Sequence, residues 1–125
     1  MANLNVLKSE KLYAGKVFNL VVDEIEYPSG NRGRREIAEH PGGAVTVPML
    51  DSETMLLVRQ FRYPTKEFLY ELPAGKLEPG EDPVVCAGRE LEEETGYVAG
   101  LLKKLTAIYT TPGFCTEKLH IFLAT

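Results

Sequence analysis

The sequence predicts a single α/β (α+β) domain in which strands dominate and one helix is well marked. Apolar runs, alternating or continuous, recur between clusters of Gly, Pro, Asn and Asp, which is the pattern of strands separated by turns. Residues 83–95 instead combine helical apolar spacing with a capping residue at each end. With 125 residues the chain can build one core but not two.

The strands are predicted from these runs in chain order. Residues 11–27 alternate well enough for one or two strands, and the PSGN turn at 28–31 ends them. Later strands are expected over residues 34–40, 44–50, 55–63, 69–75, 101–110 and 118–125. Because the sequence stops inside an apolar run, we expect the chain to be cut there, with a second, C-terminal helix beyond residue 125.

The helix has clear signals at both ends. Asp82 is the expected N-cap, and Pro83 occupies the first helical position, where its missing N–H costs nothing. Gly96 is expected to end the helix as a left-handed C-cap. The apolar side is predicted to consist of Val84, Val85, Ala87 and Leu91.

Composition narrows the classes of partner. The net charge is 14 − 18 = −4 without a dense basic stripe, which argues against nucleic acid but leaves room for a small phosphorylated ligand. No apolar segment reaches the ~18–20 residues of a membrane span, so we expect a cytoplasmic protein with no membrane partner. Cys86 and Cys115 lack metal-type spacing and are predicted to be free thiols.

Glu90, Glu93 and Glu94 are spaced at offsets of three and four, which places their carboxylates on one face of a helix. Like charges this close repel each other by a few tenths of a kcal/mol per pair on an exposed helix. Either a divalent cation or bulk water together with Arg89 could neutralise them. The spacing alone leaves both interpretations open.

The loop before this helix excludes one kind of phosphate site. Residues 75–80 have the glycine spacing of a phosphate-cradling Walker loop, but Glu81 and Asp82 stand where Lys and Ser or Thr should follow. The loop instead places a fourth carboxylate, that of Glu81, near the other three. Four carboxylates suit a hard, oxygen-preferring cation such as Mg²⁺ or Mn²⁺.

The same residues carry a family resemblance. Gly75, five residues, Glu81, seven residues and then RELEEETGY at 89–97 resemble the Nudix box, G-x5-E-x7-R-E-U-x-E-E-x-G-U, where U is a bulky aliphatic residue. The one departure is Tyr97 at the last bulky position. The flanking segments RREIAEHPGGAV, RQFRYPTKEFLYELPAGKLEPGE and YTTPGFCTEKLHIFLA are similar to those of ADP-ribose pyrophosphatases.

This resemblance implies a fold and an activity. The fold would be the Nudix α/β/α sandwich around a mixed sheet, with residues 1–40 as N-terminal strands that form a homodimer and 41–125 as the core. The activity would be metal-dependent hydrolysis of ADP-ribose to AMP and ribose 5-phosphate. The alternatives are another nucleoside diphosphate sugar, a broad-range pyrophosphatase, or a non-catalytic module that binds a nucleotide.

The resemblance also implies roles for individual residues. The implied metal ligands are the backbone carbonyl of Ala74 and the carboxylates of Glu81, Glu90, Glu93 and Glu94, with Glu81 alternatively supporting the helix. The implied substrate contacts are Arg34, Arg35, Arg62 and Glu71. The arginines could instead be surface residues, and Glu71 could be a structural partner of Arg62. The implied structural residues are Gly75, Arg89 and Gly96, with Arg89 orienting a glutamate.

The general base is open at the level of sequence. Glu93 and Glu94 are the candidates within the box, and the resemblance to ADP-ribose pyrophosphatases, which often place the base on a loop late in the domain, adds Glu117; the base could also lie beyond Thr125. His120 lies in an apolar strand and is expected to be a packed histidine. The aromatic residues that could stack on adenine, but are more often core or interface residues, are Phe61, Tyr63, Tyr109 and Phe114.

Overall fold

A computed structural model describes residues 3–125, which divide into two compact units. Residues 1 and 2, which the domain prediction includes, lie outside the described residues. The first unit takes residues 3–41 and 109–117, and the second takes 42–108 and 118–125.

The first unit is built on an antiparallel three-stranded sheet in the order β1-β2-β3. Its strands are β1 (Asn5–Ala14), β2 (Asn19–Glu26) and β3 (Arg32–Glu39). The first strand begins at Asn5, well before the predicted residue 11. The prediction missed this part of β1 because every position of the strand is exposed and its sequence does not alternate between apolar and polar residues. Backbone hydrogen bonds from Ala38 N–H to Phe114 (2.7 Å) and from Thr116 N–H to Ala38 (3.0 Å) attach the 109–117 segment to β3.

The second unit contains a four-stranded sheet, and its mixed character confirms the prediction. Its strands are β4 (Gly43–Pro48), β7 (Ala74–Lys76), β8 (Leu102–Tyr109) and β9 (Lys118–Ala124), in the order β7-β4-β9-β8. Strand β4 runs parallel to β9 and antiparallel to β7. The buried middle strand β4 therefore joins the short strand β7 to the rest of the sheet.

A separate two-stranded hairpin lies between β4 and β7 in the chain. It consists of β5 (Val58–Arg62) and β6 (Glu67–Glu71). The prediction of one strand over 69–75 is wrong, because β6 and β7 belong to different sheets and Pro73, which has no N–H to donate, interrupts the run between them. The strand predicted over 55–63 is shorter than expected and is limited to β5.

The helix α1 (Pro83–Thr95) is the single helix among residues 3–125, and its caps confirm the predicted ends. The side chain of Asp82 accepts a hydrogen bond from Val84 N–H at 3.1 Å. Gly96 has φ 78°, a left-handed conformation in which its N–H reaches Glu92 O at 2.8 Å. No helix in this described range is long and apolar enough to span a membrane.

The buried side of α1 differs from the prediction at Val85 and Cys86. Val85 is 58% exposed, whereas Cys86, Ala87 and Leu91 are buried. Val84, Ala87 and Leu91 follow the i, i+3, i+7 spacing of one helix face, and Val85 falls outside this stripe. The core joins α1 to the sheet through Ala44, Cys86, Ala87 and Phe122, with Leu77, Val84 and Leu102 packed around them.

The two cysteines are free, as predicted, and we expect them to differ in reactivity. Cys86 is fully buried, and burial, followed by the negative charge of Glu81, raises the pKa of its thiol to about 11. Cys115 is partly exposed. A disulfide reagent at pH 8 should therefore modify one thiol per native chain and two in denaturant, and Cys115→Ser should leave no reactive thiol in the native protein. Equal modification rates for both thiols would contradict the burial of Cys86.

Candidate active site

The site is built where α1 packs beside strand β7. The N–H of Ala74 donates a hydrogen bond to Glu94 Oε2 at 3.1 Å. Gly75 has no side chain, and the space that a Cβ would take is filled by the carboxyl end of Glu90. Two carboxylates from one helix face therefore lie against the backbone of the same short strand.

Arg89 binds three of the acidic residues. Its guanidinium donates to both oxygens of Glu81 (2.9 and 3.0 Å) and to Glu90 Oε1 (2.8 Å), and it lies 3.5 Å from Glu93 Oε2. The hydrogen bonds from Arg89, followed by the one from Glu78 N–H, lower the pKa of the Glu81 carboxyl to about 2. Glu81 is therefore held as an anion that fastens the loop to α1, and Arg89 orients Glu90.

Arg62 and Glu71 form a second charged pair across the β5–β6 hairpin. Arg62 donates to the two carboxylate oxygens of Glu71 at 2.5 and 2.6 Å, a bidentate pairing. These hydrogen bonds lower the pKa of the Glu71 carboxyl. The charges of both residues also act on Glu94: that of Arg62 lowers the pKa of its carboxyl, and that of Glu71 raises it.

The donor set fits a hard divalent cation. Partial removal from water raises the pKa of the Glu94 carboxyl, the N–H of Ala74 opposes this, and the negative charges of Glu90 and Glu71 add to the rise. A cation near these oxygens would relieve this concentration of negative charge. Within residues 3–125 no three acidic, His or Cys side chains already form a metal-binding group. Arg89 donates a hydrogen bond to Oε1 of Glu90, so the Glu90 side chain must rotate before both of its oxygens can coordinate a cation.

The remaining predicted site residues lie in the first unit. Arg34 and Arg35 are exposed on β3, and Arg35 donates to the hydroxyl of Tyr27 and to the carbonyl of Arg34. Glu117 accepts a hydrogen bond from the Thr110 hydroxyl at 2.8 Å. These three residues belong to the first unit, whereas α1 belongs to the second.

The sequence did not indicate the polar cluster around Glu117. Its Oε2 lies 3.5 Å from His40 Nδ1, and both side chains are largely shielded from solvent. The Thr116 hydroxyl accepts from His40 N–H (2.8 Å) and donates to His40 O (3.0 Å). No local spacing could have shown this, because His40 and Glu117 meet only when the 109–117 segment joins β3. His120, by contrast, is partly buried in β9, and burial lowers its pKa.

Comparison with known proteins identifies the family. The family model described as NUDIX domain matches residues 40–125. The chain belongs to the NUDIX family. This membership confirms the resemblance carried by Gly75, Glu81 and residues 89–97, and it covers the whole of the second unit.

Two curated relatives and one solved structure are informative. The chain is 48% identical to the ADP-ribose pyrophosphatase of Bacillus subtilis (strain 168) and 42% identical to the methanol dehydrogenase activator of Bacillus methanolicus. Each alignment has 118 residues and covers 94% of this chain but 64% of the relative. The crystal structure of an ADP compounds hydrolase superposes with a TM-score of 0.85 at 25% identity, covering 97% of this chain and 66% of that one. The chain thus spans slightly less than two thirds of the length of each of these three proteins, and the match to the solved structure confirms the predicted Nudix fold.

The close packing of Glu90 on Gly75 predicts that a side chain at position 75 will weaken metal binding. A methyl group in Gly75→Ala would displace the Glu90 carboxylate from β7, and we expect divalent metal affinity to fall about 10-fold, the scale for loss of a group that orients a ligand. Titration with Mn²⁺ measures this. Gly100→Ala is the matched control, because its Cβ would meet nothing closer than Thr125 O at 3.4 Å. Equal affinity in the two variants would contradict a role for Glu90 as a ligand.

Proposed function

We propose that this protein hydrolyses the pyrophosphate bond of ADP-ribose, in a divalent-metal-dependent reaction, to AMP and ribose 5-phosphate. The observation that supports this most strongly is the pair of Glu90 and Glu94 carboxylates held against β7 within an intact Nudix box. The named activity of the Bacillus subtilis relative supports the choice of substrate. When bound, Mg²⁺ or Mn²⁺ would neutralise charge on the pyrophosphate and lower the pKa of the attacking water.

In this proposal the box residues hold the metal. Glu90 and Glu94 provide carboxylate oxygens, and Glu93, 59% exposed at its side chain, is free to rotate toward the same ion. Ala74 provides its backbone carbonyl. Glu81 supports the site through Arg89, because both of its oxygens are already bonded to that guanidinium.

The substrate contacts are proposed from charge and position. The positive charge of Arg62 acts on the Glu94 carboxylate, and its planar guanidinium can exchange one Glu71 oxygen for a phosphate oxygen. Glu71 then keeps the arginine oriented. Arg34 and Arg35 are further proposed phosphate or ribose contacts from the N-terminal strands.

The general base is proposed among Glu93, Glu94 and Glu117. A base must reach the attacking water within hydrogen-bond distance. Glu93 is 59% exposed, Glu94 accepts from Ala74 N–H through one oxygen, and Glu117 accepts from the Thr110 hydroxyl and lies 3.5 Å from His40 Nδ1. We propose further that the protein acts in the cytoplasm as a homodimer through residues 1–40.

A product assay tests the proposal. Purified protein is incubated with ADP-ribose, GDP-mannose or 8-oxo-dGTP over a range of Mg²⁺ and Mn²⁺ concentrations, and nucleotides are separated by chromatography. We expect AMP from ADP-ribose, abolished by a chelator. Faster cleavage of GDP-mannose or 8-oxo-dGTP would assign another substrate to the same site. Absence of AMP at every metal concentration would contradict the proposed function.

A further inference from the structure

Cys86 is a buried polar group that the proposed chemistry leaves without a role. It lies on the inner side of α1 with no exposed surface, within the core cluster that includes Ala44 and Phe122. Its thiol nevertheless has polar neighbours. The sulfur lies 3.6 Å from Gly75 O and 3.7 Å from Lys76 O, two backbone carbonyls of strand β7.

A third contact connects the same sulfur to the acidic cluster. Arg89 Nη2 lies 3.8 Å from Cys86 Sγ, and the same nitrogen donates to Glu81 Oε1 at 2.9 Å. A thiol can donate one weak hydrogen bond and accept another. Cys86 therefore connects the Glu81–Arg89 pair on one side to the backbone of β7 on the other.

We propose that Cys86 is a positioning residue, which fixes strand β7 against α1 and thereby sets the affinity of the metal centre. This inference rests on the proposed function, because β7 and α1, the two elements that Cys86 joins, carry the groups proposed to bind the metal. Strand β7 provides Ala74 and Gly75, and α1 provides Glu90 and Glu94. Ligands must be held to within about 0.5 Å of their working geometry, so a small shift of β7 along the helix changes metal affinity.

We do not propose the Cys86 thiol itself as a metal ligand. Burial disfavours the thiolate, which is the form that binds metals. The sulfur also faces main-chain carbonyls and a guanidinium, and the proposed donor set of the metal consists of oxygens. Its effect on the metal must therefore act through the backbone of β7.

Matched variants separate this role from simple packing. Cys86→Ala removes the thiol and its three polar contacts, Cys86→Ser keeps a donor of similar size, and Cys115→Ala removes the other thiol of the chain. For each protein, Mn²⁺ affinity is measured by calorimetric titration, stability by urea unfolding, and AMP release by chromatography. In addition, the infrared S–H band of Cys86 is recorded in Cys115→Ala, where it is the sole thiol.

We expect Cys86→Ala to weaken Mn²⁺ binding about 5-fold, somewhat below the range for removal of a group that orients a ligand. Cys86→Ser and Cys115→Ala should stay within about 2-fold of the wild type, and the Cys86 S–H band should lie at lower wavenumber than that of a free thiol. Three results would overturn this inference but not the proposed function: unchanged Mn²⁺ affinity in Cys86→Ala, equal loss of Mn²⁺ affinity in the Ser and Ala variants, or an S–H band at the free-thiol position. A wild type that binds no Mn²⁺ and releases no AMP would contradict the proposed function and this inference with it.

Discussion

Glu94→Gln is expected to lower kcat/KM for ADP-ribose about 100-fold or more, because metal assistance contributes several kcal/mol and each 1.36 kcal/mol is tenfold in rate. The amide oxygen of Gln can still accept the hydrogen bond from Ala74 N–H, so the local geometry survives while the negative charge is lost. The same variant should bind Mn²⁺ more weakly. Steady-state kinetics at several Mg²⁺ concentrations measure the loss of activity, and titration with Mn²⁺ measures the loss of metal affinity.

The control for this variant is Glu92→Gln. Glu92 is exposed on the same helix, and its replacement changes the net charge of the chain by the same amount. We expect activity within about 2-fold of the wild type, since surface charges without close partners have small effects. Turnover retained within a few-fold in Glu94→Gln, or equal losses in both variants, would show that Glu94 is not a metal ligand.

Leu91→Ala is expected to reduce the free energy of unfolding by about 3 kcal/mol, within the 2–5 kcal/mol range for truncating a buried leucine. Leu91 is 2% exposed and is among the largest fully buried side chains of the described residues. It follows Glu90 directly, so the packing that holds α1 in place also supports the acidic face. Urea denaturation followed by circular dichroism measures the change.

Val85→Ala provides the comparison on the same helix. Val85 is 58% exposed, and we expect a change within about 0.5 kcal/mol, as for surface substitutions. The sequence pattern placed Val84, Val85 and Leu91 together on the apolar side, whereas the structure separates Val85 from them. Equal destabilisation by the two substitutions would contradict the observed orientation of α1.

The ends of the helix were predicted more accurately from the sequence than the ends of the strands. Asp82 and Gly96 bound the helix as expected, because a cap depends on backbone groups within a few residues of it. The strand boundaries were less accurate. The run at 69–75 is apolar apart from Glu71, and only the assignment of Glu71 and Ala74 to different sheets reveals that it is two strands.

The candidate site could be predicted as far as its motif reached. The spacing of Glu90 and Glu94 is local to one helix, so their shared face followed from helical geometry. The pairing of Arg62 with Glu71 depends on the register of a hairpin, and the cluster of His40 with Glu117 depends on contacts between distant segments. Glu81 was predicted as a metal ligand or a support for the helix, and only the three-dimensional arrangement shows that Arg89 occupies both of its oxygens.

The proposed function requires the carboxylates of α1 and the backbone of β7 to form one divalent metal centre. The most direct test is a crystal structure with Mn²⁺ and an uncleavable ADP-ribose analogue, with the ion located by its anomalous scattering. We expect an anomalous peak coordinated by Glu90, Glu94 and the carbonyl of Ala74, with pyrophosphate oxygens completing its shell. A peak bound elsewhere, or an analogue bound with no ion between its phosphates and α1, would contradict it.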